Sequence, residues 1–221
     1  MNLFDILGPV MVGPSSSHTA GAVRIGYISR KLLQEKPVNA EILLHGSFAT
    51  TGLGHGTDKA LIAGLLGMKP DNIQIPKSFE LAEEGGLKFS FSMVTLKDVH
   101  PNTAVLKLTG ESGKVLEVQA ASIGGGRIMI QKLNGLEVNF SGEKNTLIIQ
   151  NIDGPGRVAK VASTLFEKSV NIATMQLYRA KRGGYSIMVL ETDEEVWEKS
   201  VRQLEELEGV IGVIYIGMKQ E

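Results

Sequence analysis

Four short segments concentrate hydroxyls, histidines and glycines, the residue types that bind small ligands and move protons. Gly13-Pro14-Ser15-Ser16-Ser17-His18-Thr19 runs into a helix-forming stretch. Three hydroxyls and the free N–H groups of a helix start suit a carboxylate or phosphate, and the helix dipole adds roughly 0.3–1 kcal/mol. A plain N-cap is the alternative, but it needs one serine rather than three followed by a histidine. His45-Gly46-Ser47-Phe48-Ala49-Thr50-Thr51 stands at the end of a strand, and Gly54-His55-Gly56-Thr57-Asp58 enters a second helix. Flanking glycines bring no packing to His55 and let a small ligand approach closely, which favours a functional role there; His45 is open to either reading. In His100-Pro101-Asn102-Thr103, Pro101 stiffens the turn and presents the polar side chains outward, with a capped turn as the alternative. Ser122-Ile123-Gly124-Gly125-Gly126-Arg127 is weaker: a backbone nest for an anion beside Arg127, or a hinge between strands.

Several chemistries drop out. Gly52-Leu53-Gly54-His55-Gly56 has neither P-loop nor dinucleotide-fingerprint spacing. No HExxH or H-x-H pair occurs, so a metal site is disfavoured, although convergence of distant histidines stays open. The chain has no cysteine, which removes disulfides, zinc–thiolate sites, a thiol nucleophile and any iron–sulfur cluster held by its own thiolates. Lys plus Arg number 23 against 24 Asp plus Glu, a net charge of -1 that gives no bulk attraction for nucleic acid or an anionic membrane surface. No apolar run approaches the roughly 18–20 residues of a membrane helix. Met1-Asn2-Leu3-Phe4-Asp5 lacks the basic start of a signal peptide, so a cytoplasmic chain is expected.

The elements that must position these residues fall into two textures. With 221 residues, 43% hydrophobic and 21% charged, the chain is ordinary globular material with room for two small domains. All four histidines lie before residue 101, and the polar stretch Ser141 to Asn145 suits a linker, so the division is expected near residue 143: domains 1–143 and 144–221. In the second domain, Thr146–Gln150 reads as a strand. A turn with Pro155 at or near the first helical position follows, then a helix burying Val158, Val161, Ala162, Leu165 and Phe166. Strands at Val170–Ala180 and Tyr185–Thr192 flank the turn Lys181-Arg182-Gly183-Gly184. A helix over Glu194–Glu208, with Trp197, Val201 and Leu204 inward, and a strand at Val210–Ile216 complete a βαββαβ, ferredoxin-like plan. The first domain reads as mixed α+β. Helices are expected at Thr19–Leu33 and at Thr57–Leu66, the latter capped by Thr57 or Asp58. Strands are expected at Val38–Leu44, Phe89–Leu96, Val105–Thr109, Val115–Ser122 and Ile128–Leu133. Their order in the sheet cannot be derived from the pattern.

The segments Pro9–Gly26, His45–Ala60, His100–Thr103 and Ser122–Ile128, occurring in this order, resemble the β chain of the bacterial iron–sulfur L-serine dehydratases. The last 75 or so residues resemble an ACT domain, a βαββαβ module that often binds amino acids, and Asn151–Tyr185 is especially similar to the regulatory domain of phosphoglycerate dehydrogenase. The resemblance implies a first domain like the allosteric substrate-binding domain of that dehydrogenase. It also implies a Cys-bearing α subunit that holds a [4Fe-4S] cluster, with this chain completing the active site and holding no metal itself. The implied reaction turns L-serine into pyruvate and ammonia without pyridoxal phosphate: a base takes the Cα proton, hydroxide leaves, and aminoacrylate hydrolyses through its imine.

On that resemblance, His55, His100 and Asn102 are the candidate catalytic residues, with His55 as the base. Ser15, Ser16, Ser17, His18 and Thr19 would hold the substrate carboxylate, and His45, Ser47 and Asp58 would also touch substrate. Asn151, Asp153 and Asn171 match serine contacts of the dehydrogenase regulatory domain, and would meet across two ACT domains side by side. Here Asn151 and Asp153 stand where that dehydrogenase has His and Asn, and the added negative charge opposes a carboxylate ligand. A different class also uses hydroxyl-rich loops: a non-catalytic amino-acid sensor built from the same two domains. Four motif-embedded histidines suit proton transfer better than sensing.

Overall fold

The structure is a computed structural model, and it describes residues 10–217. Residues 1–5, whose composition argues against a signal peptide, lie outside the described residues. The chain divides into two compact units, Met1–Gly135 and Leu136–Glu221.

In the first unit the elements are α1 (Gly21–Leu33), β1 (Pro37–His45), α2 (Gly46–Thr50), α3 (Thr57–Leu65), α4 (Ser78–Glu84), β2 (Lys88–Val94), β3 (Thr103–Gly110), β4 (Val115–Gly124) and β5 (Arg127–Leu133). Here the strands lie in the order β2-β1-β3-β4-β5. All neighbours run antiparallel except β1 and β2, which are parallel. A parallel pair needs a long crossover, and α2, α3 and α4 supply it. Alternation sets the buried face. Ala40, Ile42 and Leu44 of β1 stand opposite Leu108, Leu106 and Ala104 of β3, all six buried. Helix α1 packs over β3, β4 and β5, and α3 packs on α1. Phe79 of α4 covers Phe89 and Phe91 of β2, with ring centroids 4.8 and 6.1 Å away. The expected strands are all present, with ends shifted by up to two residues. Helices α2 and α4 leave no periodic signature in the sequence, being only five and seven residues long.

The second unit contains β6 (Leu136–Phe140), β7 (Asn145–Ile152), α5 (Arg157–Phe166), β8 (Ile172–Arg179), β9 (Tyr185–Thr192), α6 (Glu198–Glu205) and β10 (Val210–Ile216). From β7 onward this is the expected βαββαβ plan, with strand order β10-β7-β9-β8. Leu147, Ile149, Met188, Leu190 and Val213 of the sheet pack with Val161 and Leu165 of α5 and Leu204 of α6.

Four local expectations are corrected. Pro155 lies outside α5, because Gly156 takes the N-cap position with φ +78°. The buried stripe of α5 is narrower than expected: Phe166 is 80% exposed, while Val161 and Leu165 carry the packing. The last helix begins at Glu198, so Trp197 becomes its N-cap and stands 70% exposed, and Val196 takes the buried place. Gly56, with φ +68°, rather than Thr57 or Asp58, is the N-cap of α3. No helix among the described residues is long and apolar enough to cross a membrane.

Candidate active site

The site gathers where β1 ends and where the turns before α1 and α3 meet. The Ser-rich segment folds as a π-helical turn, Ser16–Ala20, with Ser15 as its N-cap. Ser15 Oγ accepts from the His18 N–H at 3.1 Å, and Ser15 O accepts from Thr19 N–H at 2.8 Å and Ala20 N–H at 3.4 Å. The wider i→i+5 turn closes with the Gly21 N–H donating to Ser16 O. Four N–H groups, those of His18, Thr19, Ala20 and Gly21, are therefore spent inside the turn. Of the N–H groups at the helix start, that of His18 is taken by the Ser15 cap, while those of Ser16 and Ser17 make no hydrogen bond among the described residues. Ser16 and Ser17 are half-buried, and their hydroxyls make no hydrogen bond among the described residues.

The turn projects His18 into the centre. Its Nε2 is 3.0 Å from Ser47 Oγ, on the short helix that follows β1, and 3.2 Å from Thr51 Oγ1, the C-cap of that helix. The His55 ring lies 5.0 Å away, and the buried Phe48 meets His18 edge-on at 5.5 Å. Two reciprocal side-chain bonds tie the histidine turns together: Thr57 Oγ1 donates to His18 O at 3.0 Å, and Thr19 Oγ1 donates to His55 O at 3.2 Å. Both threonines are buried, so these bonds replace water contacts that the carbonyls would otherwise need. Burial, followed by the neighbouring His55 charge, holds the His18 pKa below the ordinary imidazole value, while the Ser47 backbone carbonyl acts the other way. His18 is accordingly a neutral ring near pH 7.

The loop His100-Pro101-Asn102 reaches the same end of the sheet through the backbone. Ser47 N–H donates to Pro101 O at 2.9 Å, and Asn102 O accepts from Ser122 N–H at 2.9 Å. Gly46 makes this approach possible: it has φ +55°, and a Cβ there would sit 2.6 Å from Pro101 O. His100 Nδ1 accepts from Asn102 N–H at 3.1 Å, so a neutral His100 carries its proton on Nε2.

Other candidates are placed differently. His45 Nδ1 sits 3.2 Å from the Leu96 N–H and 3.3 Å from Val94 O, tethering the end of β2. Asp58 Oδ1 accepts from the Lys59 N–H at 2.8 Å. The triple glycine is a hairpin turn between β4 and β5, with Gly125 at φ +61° and Gly126 at φ +75°, the signs of a type I′ turn. Arg24 donates to Gly126 O at 3.1 Å. Thr51 carries no signal of its own in the sequence, although its spacing from Ser47 is one helical turn; without α2 nothing places the two hydroxyls on one face.

In the second unit, Asn151 is buried and its Oδ1 accepts from Ser186 Oγ at 2.5 Å. Asp153 Oδ2 accepts from Gly183 N–H at 3.0 Å and from Arg179 Nη1 at 3.1 Å. The Gly183 N–H bond first, and then Arg179, hold that carboxyl below its ordinary pKa. Asn171, beside the start of β8, donates from Nδ2 to Asp193 Oδ2 at 2.6 Å. Ile172 pairs with Thr192, and Ile152 with Tyr185, so one chain holds Asn171 and the Asn151–Asp153 turn at opposite ends of the sheet.

Comparison with known proteins matches these two halves. Residues 2–133 match the serine dehydratase beta chain family, and residues 145–209 match the ACT domain. The chain is 40% identical over 215 residues to a probable L-serine dehydratase beta chain of Bacillus subtilis, covering 97% of each. It is 38% identical over 196 residues to the L-serine dehydratase beta chain of Peptoniphilus asaccharolyticus, covering 88% of each. A D-3-phosphoglycerate dehydrogenase of Bacillus subtilis is 27% identical over 198 residues, which is 89% of this chain and 37% of that one.

Proposed function

We propose a function from one premise: this chain belongs to the serine dehydratase beta chain family. It is the β subunit of an L-serine dehydratase, a lyase that converts L-serine to pyruvate and ammonia together with an α subunit. The observation that carries this reading is the meeting of His18, Ser47, Thr51 and His55 from three separate segments, with His100-Pro101-Asn102 bonded to the same short helix.

A [4Fe-4S] cluster does not fit the donors of this chain. It has no cysteine, and among the described residues no three His, Asp or Glu side chains gather as a metal-binding group. The ligands of such a cluster belong to the Cys-bearing α partner. The protein's own groups divide the remaining work. His55 takes the Cα proton. His18, neutral and packed beside it, adds no positive charge to oppose the proton that His55 gains. His100, with its proton on Nε2, donates to a substrate oxygen, and Asn102 beside it orients the substrate. Ser16 and Ser17, with free hydroxyls, hold the carboxylate. Loss of hydroxide leaves aminoacrylate, which tautomerises to the imine and hydrolyses. A cytoplasmic setting belongs to the same reading.

The test is pyruvate formation from L-serine under anaerobic, iron-reconstituting conditions, with this chain alone and with its α partner. Activity only in the mixture supports a shared site; an inactive mixture with an intact cluster refutes the lyase reading. In the active complex, His55→Ala and His100→Ala should each lower kcat about 100-fold or more, the usual scale for a lost acid or base.

For the ACT unit the reading is a homotypic contact that brings the Asn151–Asp153 turn of one copy to Asn171 of another. Arg179 already neutralises Asp153, which removes part of the repulsion toward an amino-acid carboxylate. Calorimetry of the full chain with L-serine, wild type against Asn171→Ala, tests it; a titration heat that the substitution leaves unchanged places any binding elsewhere.

A further inference from the structure

Proton counting around His18 carries the proposed lyase reading one step further, and rests on it. Three polar atoms form a closed triangle: His18 Nε2 to Ser47 Oγ at 3.0 Å, Ser47 Oγ to Thr51 Oγ1 at 3.1 Å, and Thr51 Oγ1 to His18 Nε2 at 3.2 Å. A fourth contact breaks its symmetry. Thr51 Oγ1 lies 2.9 Å from Ser47 O, one helical turn back, and that carbonyl can only accept. Ser47 O also accepts the Thr51 N–H at 2.9 Å, and a Thr51 hydroxyl proton sent to His18 Nε2 instead would leave two contacts, Thr51 Oγ1 to Ser47 O and Ser47 Oγ to Nε2, with no proton, so that proton is placed on Ser47 O. Thr51 Oγ1 is left as an acceptor toward both of its other neighbours.

Two arrangements of the remaining protons are possible. If His18 Nε2 bears no hydrogen, the Ser47 hydroxyl must turn to it. The Ser47–Thr51 contact then has no proton between its oxygens, and Thr51 Oγ1 faces Nε2 lone pair to lone pair. If Nε2 bears the hydrogen, it donates to Ser47 Oγ with Thr51 Oγ1 as a second, longer acceptor. The Ser47 hydroxyl then donates to Thr51, and Thr51 donates to Ser47 O. Only this second arrangement satisfies every contact.

We infer that Ser47 and Thr51 are positioning residues that lock His18 as the Nε2–H tautomer, so that its Nδ1 lone pair receives the substrate ammonium rather than its carboxylate. Nδ1 has no hydrogen-bond partner among the described residues. An unprotonated ring nitrogen accepts and cannot donate, so it attracts an ammonium and repels a carboxylate. This revises the carboxylate role that the sequence suggested for His18 and leaves that role to Ser16 and Ser17. Burial and the neighbouring His55 keep the ring neutral, as the lock requires. The titratable group facing His18 is His55; α2 contributes only hydroxyls and Phe48, and Asp58 of α3 is turned to the Lys59 N–H.

The tautomer is readable without catalysis. Long-range proton–nitrogen NMR on the full chain, labelled with ¹⁵N-histidine at about pH 7.5, well above the ordinary imidazole pKa, distinguishes protonated from unprotonated ring nitrogens. His18→Gln assigns the His18 signals. The expected spectrum has Nε2 protonated and Nδ1 unprotonated. Thr51→Val removes the acceptor of the Ser47 proton, so that proton turns to Nε2 and the signals move toward the Nδ1–H form. Thr51→Ser keeps the wild-type pattern. An Nδ1–H ring in wild type, or a Thr51→Val spectrum unchanged from wild type, overturns the lock.

Kinetics of the assembled α/β complex test the ammonium contact. Thr51→Val should raise KM for L-serine roughly tenfold or more with a smaller change in kcat, the order expected for a hydrogen bond to a charged group, and Thr51→Ser should restore it. A tautomer change without a KM change overturns the ammonium contact. A wild-type complex with an intact cluster and no lyase activity overturns the functional reading, and the spectrum still decides the lock.

Discussion

Helices α1 and α3 cross with their backbones in contact, and one added methyl group should separate them. A Cβ on Gly26 would lie 2.2 Å from Leu61 O and 2.9 Å from Leu65 N, and a Cβ on Gly64 would lie 2.1 Å from Val23 O and 2.6 Å from Tyr27 N. These neighbours are helix backbone and cannot rotate aside. Ordinary contact begins near 3.4 Å, so Gly26→Ala requires the helices to open by 3.4 minus 2.2, or 1.2 Å. Overpacking of this kind costs about 1–3 kcal/mol, and a backbone obstacle puts the cost at the upper end. The separation also reaches the site. His18 precedes α1 and Thr57 begins α3, and the bond between Thr57 Oγ1 and His18 O is 3.0 Å long. An opening of that size at the site would stretch it beyond hydrogen-bond range. Gly54 is the contrast, because a Cβ there meets nothing within 4 Å. Gly54→Ala should be neutral or stabilise by a few tenths of a kcal/mol to about 1 kcal/mol through the unfolded chain. The only tryptophan, Trp197, is in the second unit and does not report on this one. The assay is therefore hydrogen exchange by mass spectrometry on peptides spanning α1 and α3, through a denaturant series. Gly26→Ala should unfold at clearly lower denaturant than wild type with a similar slope. A Gly26→Ala midpoint equal to that of wild type would refute the backbone-contact argument.

Three further outcomes are expected. His18 has a folded-state pKa below its unfolded value near 6.5, so its contribution to stability is complete above that pH and is lost as pH falls through the lower folded value; His18→Gln should remove this component from the pH dependence of the first unit. Asp153 is depressed in the same direction from 3.8, so the hairpin clip it forms with Gly183 and Arg179 is present at neutral pH and loosens on acidification below that value. Asp153→Ala should speed exchange of the Gly183 amide, whereas Asp153→Asn should retain part of its protection. Ser122 is fully buried with its hydroxyl unpartnered, so Ser122→Ala should leave stability unchanged or slightly raised, and a loss above about 1 kcal/mol would mean the hydroxyl has a partner.

Much of this protein can be read from the order of its residues, because the relevant signals are local. Tyr185–Thr192 and Val210–Ile216 are placed to the residue, since a short, β-branched apolar run bounded by glycine-containing turns fits a strand whose two faces are both largely covered. The motif segments around His18, His55 and His100 mark the site for the same reason: clustered hydroxyls, glycines and histidines are visible without any partner. Absence of cysteine likewise excludes, from composition alone, any iron–sulfur cluster held by this chain's own thiolates.

The tertiary structure decided what depends on distance. The strand order followed from which hydrophobic faces meet, and no local pattern carries that. Helix α2 is too short for a periodic signature. The Ser47–Thr51 face, with both hydroxyls within reach of His18 Nε2, exists only once that helix stands against the π-helical turn. At the serine-rich helix start, folding decides the split: its own carbonyls and cap take the N–H groups of His18 through Gly21 and leave those of Ser16 and Ser17. Residue types state which protons and lone pairs exist; only folding decides which of them are already satisfied, and chemistry belongs to those left over.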